Sequence, residues 1–466
     1  MSISRLEEIA ASPGFVCHTL ALFPDLLDLQ RARPQRYPHL LESASHGTPQ
    51  ARYDILFAFP RHTLALRSGG RLMRDDRLTG FGDFLEVFER EWQEHGHSPP
   101  QAGVTVPFTG GWFVYLGYEL AAQIEPRLGR VAADQKFPVA SVTRIPAAII
   151  RDRIGCVTHL VCETDAAQSL IPEMEEDLRR LARRSESAIE LTGLVEEDSS
   201  RYLDSVKRTL EYIRAGDVFQ VNLSRSWEAT LARPVSAAAV YRCLRRANPA
   251  PFAGLMTLDP HTAVISSSPE RLVRVDGDAI STRPIAGTYP RSPDREQDRR
   301  WSQQLLRHPK ERAEHVMLID LERNDLGRVC QPGSVHVNEF MILETYSHVH
   351  HIVSEVSGTL RENVTPARII RAVFPGGTIT GCPKVRCMEI IKELESGPRG
   401  PYTGSMGYIN RDGSLDLNIL IRTMELRGDR IRLRAGAGIV ADSRPMRELQ
   451  ETRAKAKGML AALGRA

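Results

Sequence analysis

Two neighbouring segments with different periodicities most constrain how this chain can fold. Residues 201–215 carry apolar side chains at helical spacing and stop at Gly216, which predicts an amphipathic helix. Residues 218–227, VFQVNLSRSW, alternate instead, with Val221 on an apolar face and Gln220 on a polar face. The chain therefore passes directly from a surface helix into a strand with one polar side.

Strand and helix patterns recur along the chain without a regular βαβ order. Residues 163–200 are rich in charge and predict a surface helix and a connector, which is the best candidate for a boundary. Long helices between strands of this kind indicate an α+β layered fold. The other predicted strands are 262–275 and 430–441, and the other predicted helices are 297–307, 309–324, 365–373, 383–395 and 444–462.

The composition excludes several classes of protein. The 466 residues include 42% hydrophobic and 26% charged side chains, as in globular proteins, and seven scattered cysteines without a CxxC pair. No apolar run reaches the length of a membrane span, and the N-terminus has no apolar signal core. A net charge of +3 is too small to indicate a nucleic-acid-binding surface. We expect a cytoplasmic protein that binds neither membrane nor nucleic acid.

Two of the predicted helices each carry a pair of carboxylates on one face. Glu311 and Glu314 are three residues apart in the first helix, and Glu448 and Glu451 are three apart in the last, where Lys455 continues the same face. Four oxygen ligands without clustered histidine or cysteine would suit Mg²⁺. Glutamate-rich helix faces are more often solvated, so the spacing alone leaves both interpretations open.

Glycine-rich segments mark places where a ligand could approach the backbone. RPIAGTYPR at 283–291 places Gly287 and Thr288 between a strand and a charged helix. GGTITG at 376–381 leads into a helix and would point N–H groups at an anion, although a plain helix entry fits equally well. AGAG at 435–438 ends a strand, where glycine marks a bulge or a close approach.

In this order the motifs resemble those of the chorismate-utilising enzymes, which include anthranilate synthase component I, aminodeoxychorismate synthase component I, isochorismate synthases and salicylate synthases. The likeness before residue 200 rests on RYDILFAF and PFTGGWFVYLGYEL. The segments that match between residues 200 and 460 are GDVFQVNLSR, ANPAPFAGLM, SSSPERLV, TRPIAGTYPR, ERAEHVMLIDLERNDLGRV, VHHIVSEV, FPGGTITGCPKVRCMEII, LNILIRTMEL, AGAGIVADS and ELQETRAKA.

The resemblance implies an α+β fold in which two antiparallel sheets pack face to face as a sandwich, with helices outside and the active site in a cleft between the sheets. Residues 1–195 would form the N-terminal part of this single unit, and residues 196–466 the chorismate-binding catalytic region. It also implies a magnesium site. Glu314 and Glu451 would bind Mg²⁺, with Glu311 and Glu448 acting through water, and the ion would bind a carboxylate of chorismate.

Further residues would bind the substrate and move its protons. Arg422 and Tyr402 would hold the enolpyruvyl carboxylate, a contact that suits a planar guanidinium. Glu270 would protonate the departing C4 hydroxyl, for which its pKa should be raised, and His351 would lie beside it. The other implied members of the site are Gly287, Thr288, Thr378, Gly436, Gly438 and Lys455.

Gln220 indicates which nucleophile the resemblance implies. Relatives that add water place a lysine at this position, and glutamine cannot serve as that base. Relatives with glutamine use ammonia, so an aminating enzyme is implied. No cysteine here has the setting of a glutaminase nucleophile, and we therefore expect a separate glutaminase subunit, component II, as a heterodimer partner.

Two aminating reactions remain open. Ala286 stands where aminodeoxychorismate synthases typically have the lysine of PIKGT, which attacks C2, and it matches anthranilate synthases. LLES at 40–43 resembles a tryptophan-sensing element of anthranilate synthases, or is an ordinary apolar segment. Other details favour aminodeoxychorismate synthase. These are the short chain and the segments VNLS, ANPAPF, RYDI and VHHIVS.

We therefore expect Mg²⁺-dependent amination of chorismate at C4 in p-aminobenzoate and folate synthesis. The first alternative is amination at C2 with loss of pyruvate, the reaction of anthranilate synthase in tryptophan synthesis. The second is a non-catalytic relative that binds a metabolite or a partner.

Overall fold

Two large antiparallel sheets carry the fold, with helices packed on their outer faces. The structure, a computed structural model, describes residues 5–12, 14–44, 52–96, 106–129, 133–134, 137–181, 189–345 and 349–465. Within these residues the helices are α1 Leu26–Ala32, α2 Phe84–His95, α3 Ala121–Ile124, α4 Ala167–Arg179, α5 Ser199–Arg214, α6 Ala237–Ala247, α7 Arg295–Arg307, α8 Pro309–Gly327, α9 Pro366–Val373, α10 Lys384–Leu394 and α11 Pro445–Ala462.

The strands of the described residues follow in chain order. The first twelve are β1 Arg5–Ser12, β2 Phe15–Leu20, β3 His39–Glu42, β4 Tyr53–Ala58, β5 Thr63–Arg67, β6 Arg71–Arg74, β7 Arg77–Phe81, β8 Gly111–Leu116, β9 Ala140–Ile145, β10 Ala147–Asp152, β11 Val157–Glu163 and β12 Leu191–Glu196. The others are β13 Gln220–Leu231, β14 Phe252–Asp259, β15 Thr262–Ser268, β16 Arg271–Asp276, β17 Ala279–Thr282, β18 Ile285–Pro290, β19 His336–Thr345, β20 Val349–Thr359, β21 Gly381–Cys382, β22 Ser405–Asn410, β23 Leu415–Asn418, β24 Thr423–Arg427 and β25 Arg430–Ile439.

Each sheet draws strands from both ends of the chain. Among the described residues the first sheet has the order β1-β2-β11-β10-β4-β3-β14-β15-β24-β25-β13-β12, with β21 beside β13. The second has the order β18-β20-β17-β16-β23-β22-β8-β9-β5-β6-β7, with β19 beside β20. β3 pairs with β14, and β8 pairs with β22. The regions before and after residue 195 therefore share both sheets, and the expected α+β fold is confirmed.

The sheets pack through an aromatic and aliphatic core. Phe57 of β4 lies edge-on to Phe113 of β8, with ring centroids 5.2 Å apart, and Met406 of β22 belongs to the same buried cluster. A second cluster buries α4, α6 and α11 against the first sheet, and a third buries α2, α8 and α9 against the second. Apolar burial on both faces of each sheet is the main favourable contribution to this arrangement.

Local chemistry explains where the helices begin and end. The Asp198 carboxylate accepts a hydrogen bond from the Ser200 N–H at the start of α5, and Gly216 follows its end with φ +81°. Pro309 occupies the first turn of α8, where its missing N–H has no partner to lose. The predicted helices are confirmed, with ends that differ from the prediction by up to three residues.

One predicted strand is wrong in a way that matters for the site. Residues 262–275 form two strands, β15 in the first sheet and β16 in the second, with Pro269 and Glu270 between them. Proline has no N–H for a sheet ladder, so the strand ends there and the chain crosses between the sheets. Glu270 consequently lies at a crossing point between the two layers.

The charged region 163–200 also differs from a simple surface helix. α4 buries Ile171, Met174 and Leu178 against the first sheet, and residues 182–188 lie outside the described part of the chain. None of the helices in the described ranges combines the length and the apolar character that crossing a membrane requires.

Candidate active site

Glu270 is a buried carboxyl group whose ionisation is strongly perturbed. Its side chain is buried, with the residue 4% exposed, and burial raises its pKa to about 7. The side chain of Thr378 and the backbone N–H of Ile285 oppose this rise. The positive charges of Lys455 and Arg422 oppose it more weakly. Glu270 is therefore a carboxyl group that keeps its proton close to neutral pH, as a general acid must.

Two polar atoms at this position remain unsatisfied. Glu270 Oε1 and Thr378 Oγ1 are both buried, and neither completes a hydrogen bond of ordinary geometry with any described group. The Thr378 hydroxyl is thus close enough to influence Glu270 without satisfying it. Buried polar atoms are normally paired, so two orphaned atoms side by side indicate a place for a polar ligand.

Arg422, whose charge acts on Glu270, has a strained backbone. It has φ +53°, a region that bulky residues rarely adopt and that is found at functional sites. Within the described part of the chain its guanidinium makes neither a hydrogen bond nor an ion pair. Burial lowers the pKa of Arg422, while Tyr402 and Glu270 act in the opposite direction. A half-buried guanidinium without a protein anion suits a carboxylate ligand.

His351 is a further buried group on which the charge of Arg422 acts. Burial lowers the pKa of its ring to about 4, the positive charge of Arg422 adds to this, and the backbone of Gly287 opposes it by hydrogen bonding. His351 is therefore neutral at neutral pH. Thr288 pairs with His351 in the β18–β20 ladder, and the side chain of Thr288 lies outside the described part of the structure.

Gly287 allows α8 to approach this ladder. It has φ +68° at a bulge between β18 and β20, where the register shifts. A Cβ atom on Gly287 would lie 2.8 Å from Leu305 Cδ1 and 3.0 Å from Glu311 Oε2. The missing side chain thus brings Glu311 of α8 against the strand that faces His351.

The side chain of Gln220, on β13, lies against Gly438 of the neighbouring strand β25. Gln220 is buried, and a Cβ atom on Gly438 would lie 2.3 Å from its Nε2 atom. Glycine at 438 therefore makes the room that the glutamine side chain occupies. The Oε1 atom of Gln220 is buried and has no hydrogen-bond partner in the described chain. It is an acceptor that a small N–H donor can satisfy.

Gly436 makes room for the side chain of Tyr402 in the same way. A Cβ atom on Gly436 would lie 2.8 Å from Tyr402 Oη and 2.6 Å from the Leu223 carbonyl oxygen. Burial raises the pKa of Tyr402, so the phenol remains a hydrogen-bond donor. Because Tyr402 and Arg422 influence each other electrostatically, the two groups proposed for one carboxylate lie near each other.

The four helix glutamates lie on two helices, Glu311 and Glu314 on α8 and Glu448 and Glu451 on α11. Lys455 Nζ lies 2.8 Å from Glu451 Oε1 on α11, and the charge of Lys455 acts on Glu270. Glu448 is buried on the same helix, while on α8 Glu311 meets Gly287 and Glu314 is half-buried. No three histidine, cysteine, aspartate or glutamate side chains in the described ranges are close enough to hold a metal ion. The oxygen donors fit Mg²⁺ chemically, but their side chains are not gathered into a site.

A buried ion network beside Tyr402 was not predicted from the sequence. Glu395 accepts hydrogen bonds from Arg399 at 2.7 Å, from Arg434 at 2.8 Å and from the Ser224 N–H at 2.8 Å. Burial tends to raise the pKa of Glu395, yet the two guanidinium groups bring it below its usual value. The one available signal was the four-residue spacing of Glu395 and Arg399, which is too common to single them out.

Glu119 holds the backbone of the same loop that leads to Tyr402. It is buried and accepts hydrogen bonds from the backbone N–H groups of Arg399 at 2.8 Å and Gly400 at 3.1 Å. Burial raises the pKa of Glu119 to about 7 against these bonds. The loop that ends in Tyr402 is therefore fixed through both its backbone and its charged side chains.

The two positions that bear on specificity are placed as follows. Ala286 is buried in β18 and pairs with Ile352. The LLES segment lies in β3 and packs against ANPAPF, with Ser43 Oγ donating to the Pro251 carbonyl oxygen at 3.1 Å. Glu42 of LLES accepts a hydrogen bond from Arg245 at 3.0 Å, so its charge is paired within the protein.

Comparison with known proteins gives a consistent assignment. The model of the family described as chorismate binding enzyme matches residues 44–461. Anthranilate synthase component 1 of Thermus thermophilus is 39% identical over 91% of this chain and 91% of its own length. Aminodeoxychorismate synthase component 1 of Bacillus subtilis is 38% identical over 93% of both chains.

A solved structure agrees with this assignment. Anthranilate synthase component I from Streptococcus pneumoniae has a TM-score of 0.78 and 31% identity, covering 89% of this chain and 93% of that one. Glu270, Arg422 and the glycines that admit Gln220 and Tyr402 are arranged on this shared fold. The chain belongs to the chorismate-binding enzyme family.

Proposed function

We propose that the protein aminates chorismate at C4 to give 4-amino-4-deoxychorismate, as component I of an aminodeoxychorismate synthase. The observation that carries amination is Gln220, whose buried carbonyl oxygen, beside Gly438, has no hydrogen-bond partner among the described residues. It can accept a hydrogen bond from ammonia, and an amide cannot deprotonate water. Relatives in this family carry the names of two-component aminating synthases, which supports a glutaminase subunit as the source of ammonia.

The cleft can bind and activate a doubly negative ring. Arg422 and Tyr402 would hold one carboxylate, and Lys455 would add positive charge at the same end of the cleft. Glu270 would donate its proton as the C4–O bond breaks, so that the oxygen leaves as water while nitrogen bonds to C4. The additional proton on nitrogen would return to the Glu270 carboxylate, which restores the acid for another turnover.

Magnesium would supply positive charge to neutralise the ring carboxylate. Glu314 and Glu451 would hold the ion directly, and Glu311 and Glu448 would hold it through water. Their donor type supports this assignment. With the seven cysteines outside any CxxC pair and free thiols at all of them, we place the reaction in the reducing cytoplasm, as a step towards p-aminobenzoate and folate.

The product identifies the reaction. The purified chain would be incubated with chorismate, Mg²⁺ and ammonium, and the mixture separated by chromatography. We expect a non-fluorescent product that yields p-aminobenzoate only after an aminodeoxychorismate lyase is added. Fluorescent anthranilate formed without the lyase would overturn C4 amination. Unchanged chorismate, with a glutaminase partner and glutamine present, would indicate a non-catalytic relative.

Amination at C2 with loss of pyruvate is the second candidate, and Ala286 is the observation that favours it. The residue is buried in β18 and offers no amine for covalent addition at C2. Relatives named anthranilate synthase are as similar as those named aminodeoxychorismate synthase. The same chromatogram separates the two reactions, because only C2 amination releases pyruvate in step with anthranilate.

The magnesium proposal has a separate test. Glu314→Gln should raise the Mg²⁺ concentration for half-maximal rate by about tenfold, since a lost carboxylate ligand weakens a hard cation. Asp320→Asn, on the exposed side of the same helix, is the matched control and should leave this concentration unchanged. Equal Mg²⁺ dependence of Glu314→Gln and the parent protein would contradict the assignment.

A further inference from the structure

The glycine-rich turn at 376–380 is bound through its carbonyl groups to the strand that carries Gln220. The side-chain amide of Asn222, on β13, donates from Nδ2 to the Thr378 carbonyl oxygen at 2.8 Å. The backbone N–H of Asn222 donates to the Thr380 carbonyl oxygen at 2.9 Å. One residue of β13 therefore binds the turn twice, through its side chain and through its backbone.

Further hydrogen bonds hold the same turn. Arg399 Nη1 donates to the Ile379 carbonyl oxygen at 3.1 Å, and Arg399 Nη2 donates to the Asn222 carbonyl oxygen at 2.7 Å. The Thr380 hydroxyl closes the turn by donating to the Gly376 carbonyl oxygen at 2.9 Å. Arg399 thus binds both the turn and the residue of β13 that binds the turn, so the three segments form one hydrogen-bonded unit.

The unit joins two residues of the candidate site whose side chains keep an open polar atom. Thr378 Oγ1 and Gln220 Oε1 are both buried, and neither has a hydrogen-bond partner among the described residues. Gln220 and Asn222 are two residues apart in β13, so their side chains share a face of the strand. Asn222 is therefore the direct connection between the strand of Gln220 and the turn of Thr378.

We propose that Asn222 is a positioning residue that fixes Thr378 relative to Gln220. The inference rests on the proposed function, in which Gln220 receives ammonia and Thr378 contacts the ring. A turn that begins with Gly376 and Gly377 has little preference of its own for one conformation, so its hydrogen bonds decide where Thr378 lies. Attack on C4 needs nitrogen and ring at a productive distance, and a misplacement of about 1 Å can lower the rate about 10²-fold.

Removal of the amide should affect turnover more than substrate binding. Asn222→Ala should lower kcat by about 10- to 10²-fold and change the KM for chorismate by less than about twofold. The KM should be preserved because Arg422 and Tyr402, the proposed carboxylate ligands, lie outside the turn. The full chain is assayed with saturating Mg²⁺ and ammonium, and the rate is followed as consumption of chorismate.

A double-mutant cycle separates positioning from a general loss of structure. Thr378→Val removes the hydroxyl and retains the carbonyl group that Asn222 binds. If Asn222 acts through Thr378, Asn222→Ala should lower kcat by less than about twofold once Thr378→Val is present. Losses in kcat that simply multiply in the double variant would overturn the inference.

Asn410→Ala is the matched control. Asn410 Nδ2 also donates to a backbone carbonyl oxygen, that of Pro107 at 2.9 Å, but Asn410 ends β22 in the second sheet. Its loss should lower the melting temperature and leave kcat at the parental value. A parental kcat in folded Asn222→Ala, a raised KM with unchanged kcat, or an equal loss of kcat in Asn410→Ala would contradict the positioning role.

Thermal unfolding shows whether each variant is folded. Asn222→Ser, which also lacks the amide, replaces Asn222→Ala in these measurements if the alanine variant does not fold. Failure of both variants to fold would likewise overturn the inference, because the amide would then be required for the fold and not for the site.

Failure of the inference can be told apart from failure of the proposed function. A parent protein that forms anthranilate would reject C4 amination, while chorismate consumption by the variants would still decide the role of Asn222. A parent protein that leaves chorismate unchanged would reject the function and with it the premise. A parent protein that aminates C4, with Asn222 variants that keep its kcat, would leave the function intact and reject the positioning role.

Discussion

Glu270 and Glu395 both carry buried carboxyl groups, in opposite electrostatic situations. Glu270 is 4% exposed as a residue and the side chain of Glu395 is 4% exposed, yet the pKa of Glu395 lies below its usual value while that of Glu270 rises to about 7. Glu395 has Arg399 and Arg434 as hydrogen-bonded partners, whereas Glu270 retains an orphaned oxygen. Burial alone therefore does not set the pKa of a carboxyl group in this fold, because hydrogen-bonded cations reverse its effect.

The largest effect should come from removing the proton of the acid. Glu270→Gln should lower kcat by about 10²- to 10⁴-fold, the usual contribution of a positioned general acid, with little change in KM. Steady-state kinetics at pH 7 measure this, with the melting temperature as a check on folding. A Glu270→Gln enzyme with a parental kcat would show that Glu270, like Glu395, is a structural carboxyl group and not the general acid.

The opposite result is expected at the paired site. Glu395→Gln leaves two buried guanidinium groups short of negative charge, which should lower the free energy of unfolding by about 3–5 kcal/mol. Urea unfolding followed by circular dichroism measures this loss. Glu389→Gln, an α10 residue whose carboxylate is partly exposed and accepts from Arg386, is the control and should change the free energy by less than about 1 kcal/mol. A small effect of Glu395→Gln would mean that the network does not fix the Tyr402 loop.

The two carboxyl groups should also give opposite slopes of stability with pH. The folded protein keeps the Glu270 proton up to about pH 7, whereas the unfolded chain loses it near pH 4.5. The folded state therefore binds more protons in this window, and Glu270 makes stability fall as the pH rises from about 4.5 to 7. Glu270→Gln should remove this fall, so it should be more stable than the parent at pH 8 and similar at pH 4.

Urea unfolding across this pH window measures the difference. If the free energy of unfolding does not fall more steeply with pH in the parent than in Glu270→Gln, the raised pKa of Glu270 is contradicted. Glu119 has a similarly raised pKa and remains in both proteins, so its contribution cancels in the comparison. Glu395 contributes in the other direction, since its lowered pKa makes stability fall as the pH decreases through the acid range.

The smallest effect is expected from replacing Arg422, whose backbone is strained. Arg422→Gly relieves a positive φ that glycine adopts freely, and should stabilise the fold by about 1 kcal/mol while raising KM about tenfold through loss of the carboxylate contact. Asn363→Gly, at φ +60° on an exposed turn, tests backbone relief outside the proposed site and should leave KM at the parental value. Destabilisation by Arg422→Gly would mean that the guanidinium is satisfied in the free protein.

The sequence carried the fold class and the identity of many candidate residues, but not the contacts between them. The periodicities of 201–215 and 218–227 predicted α5 and β13 because each element buries one face. The break at Pro269 was missed because both flanking runs read as strand, and only the pairing of β15 and β16 with different sheets reveals it. Orphaned atoms such as Gln220 Oε1 depend on what lies opposite, which no local pattern records.

The interleaving of the sheets has a consequence for how the protein forms during synthesis. Leu40 of β3 finds its strand partner Leu255 in β14, and Val114 of β8 finds Gly407 in β22. Pairing over such separations is slow and requires late parts of the chain. The nascent N-terminal strands must therefore wait on the ribosome with open edges until their partners emerge, a period in which chaperones would protect them from aggregation.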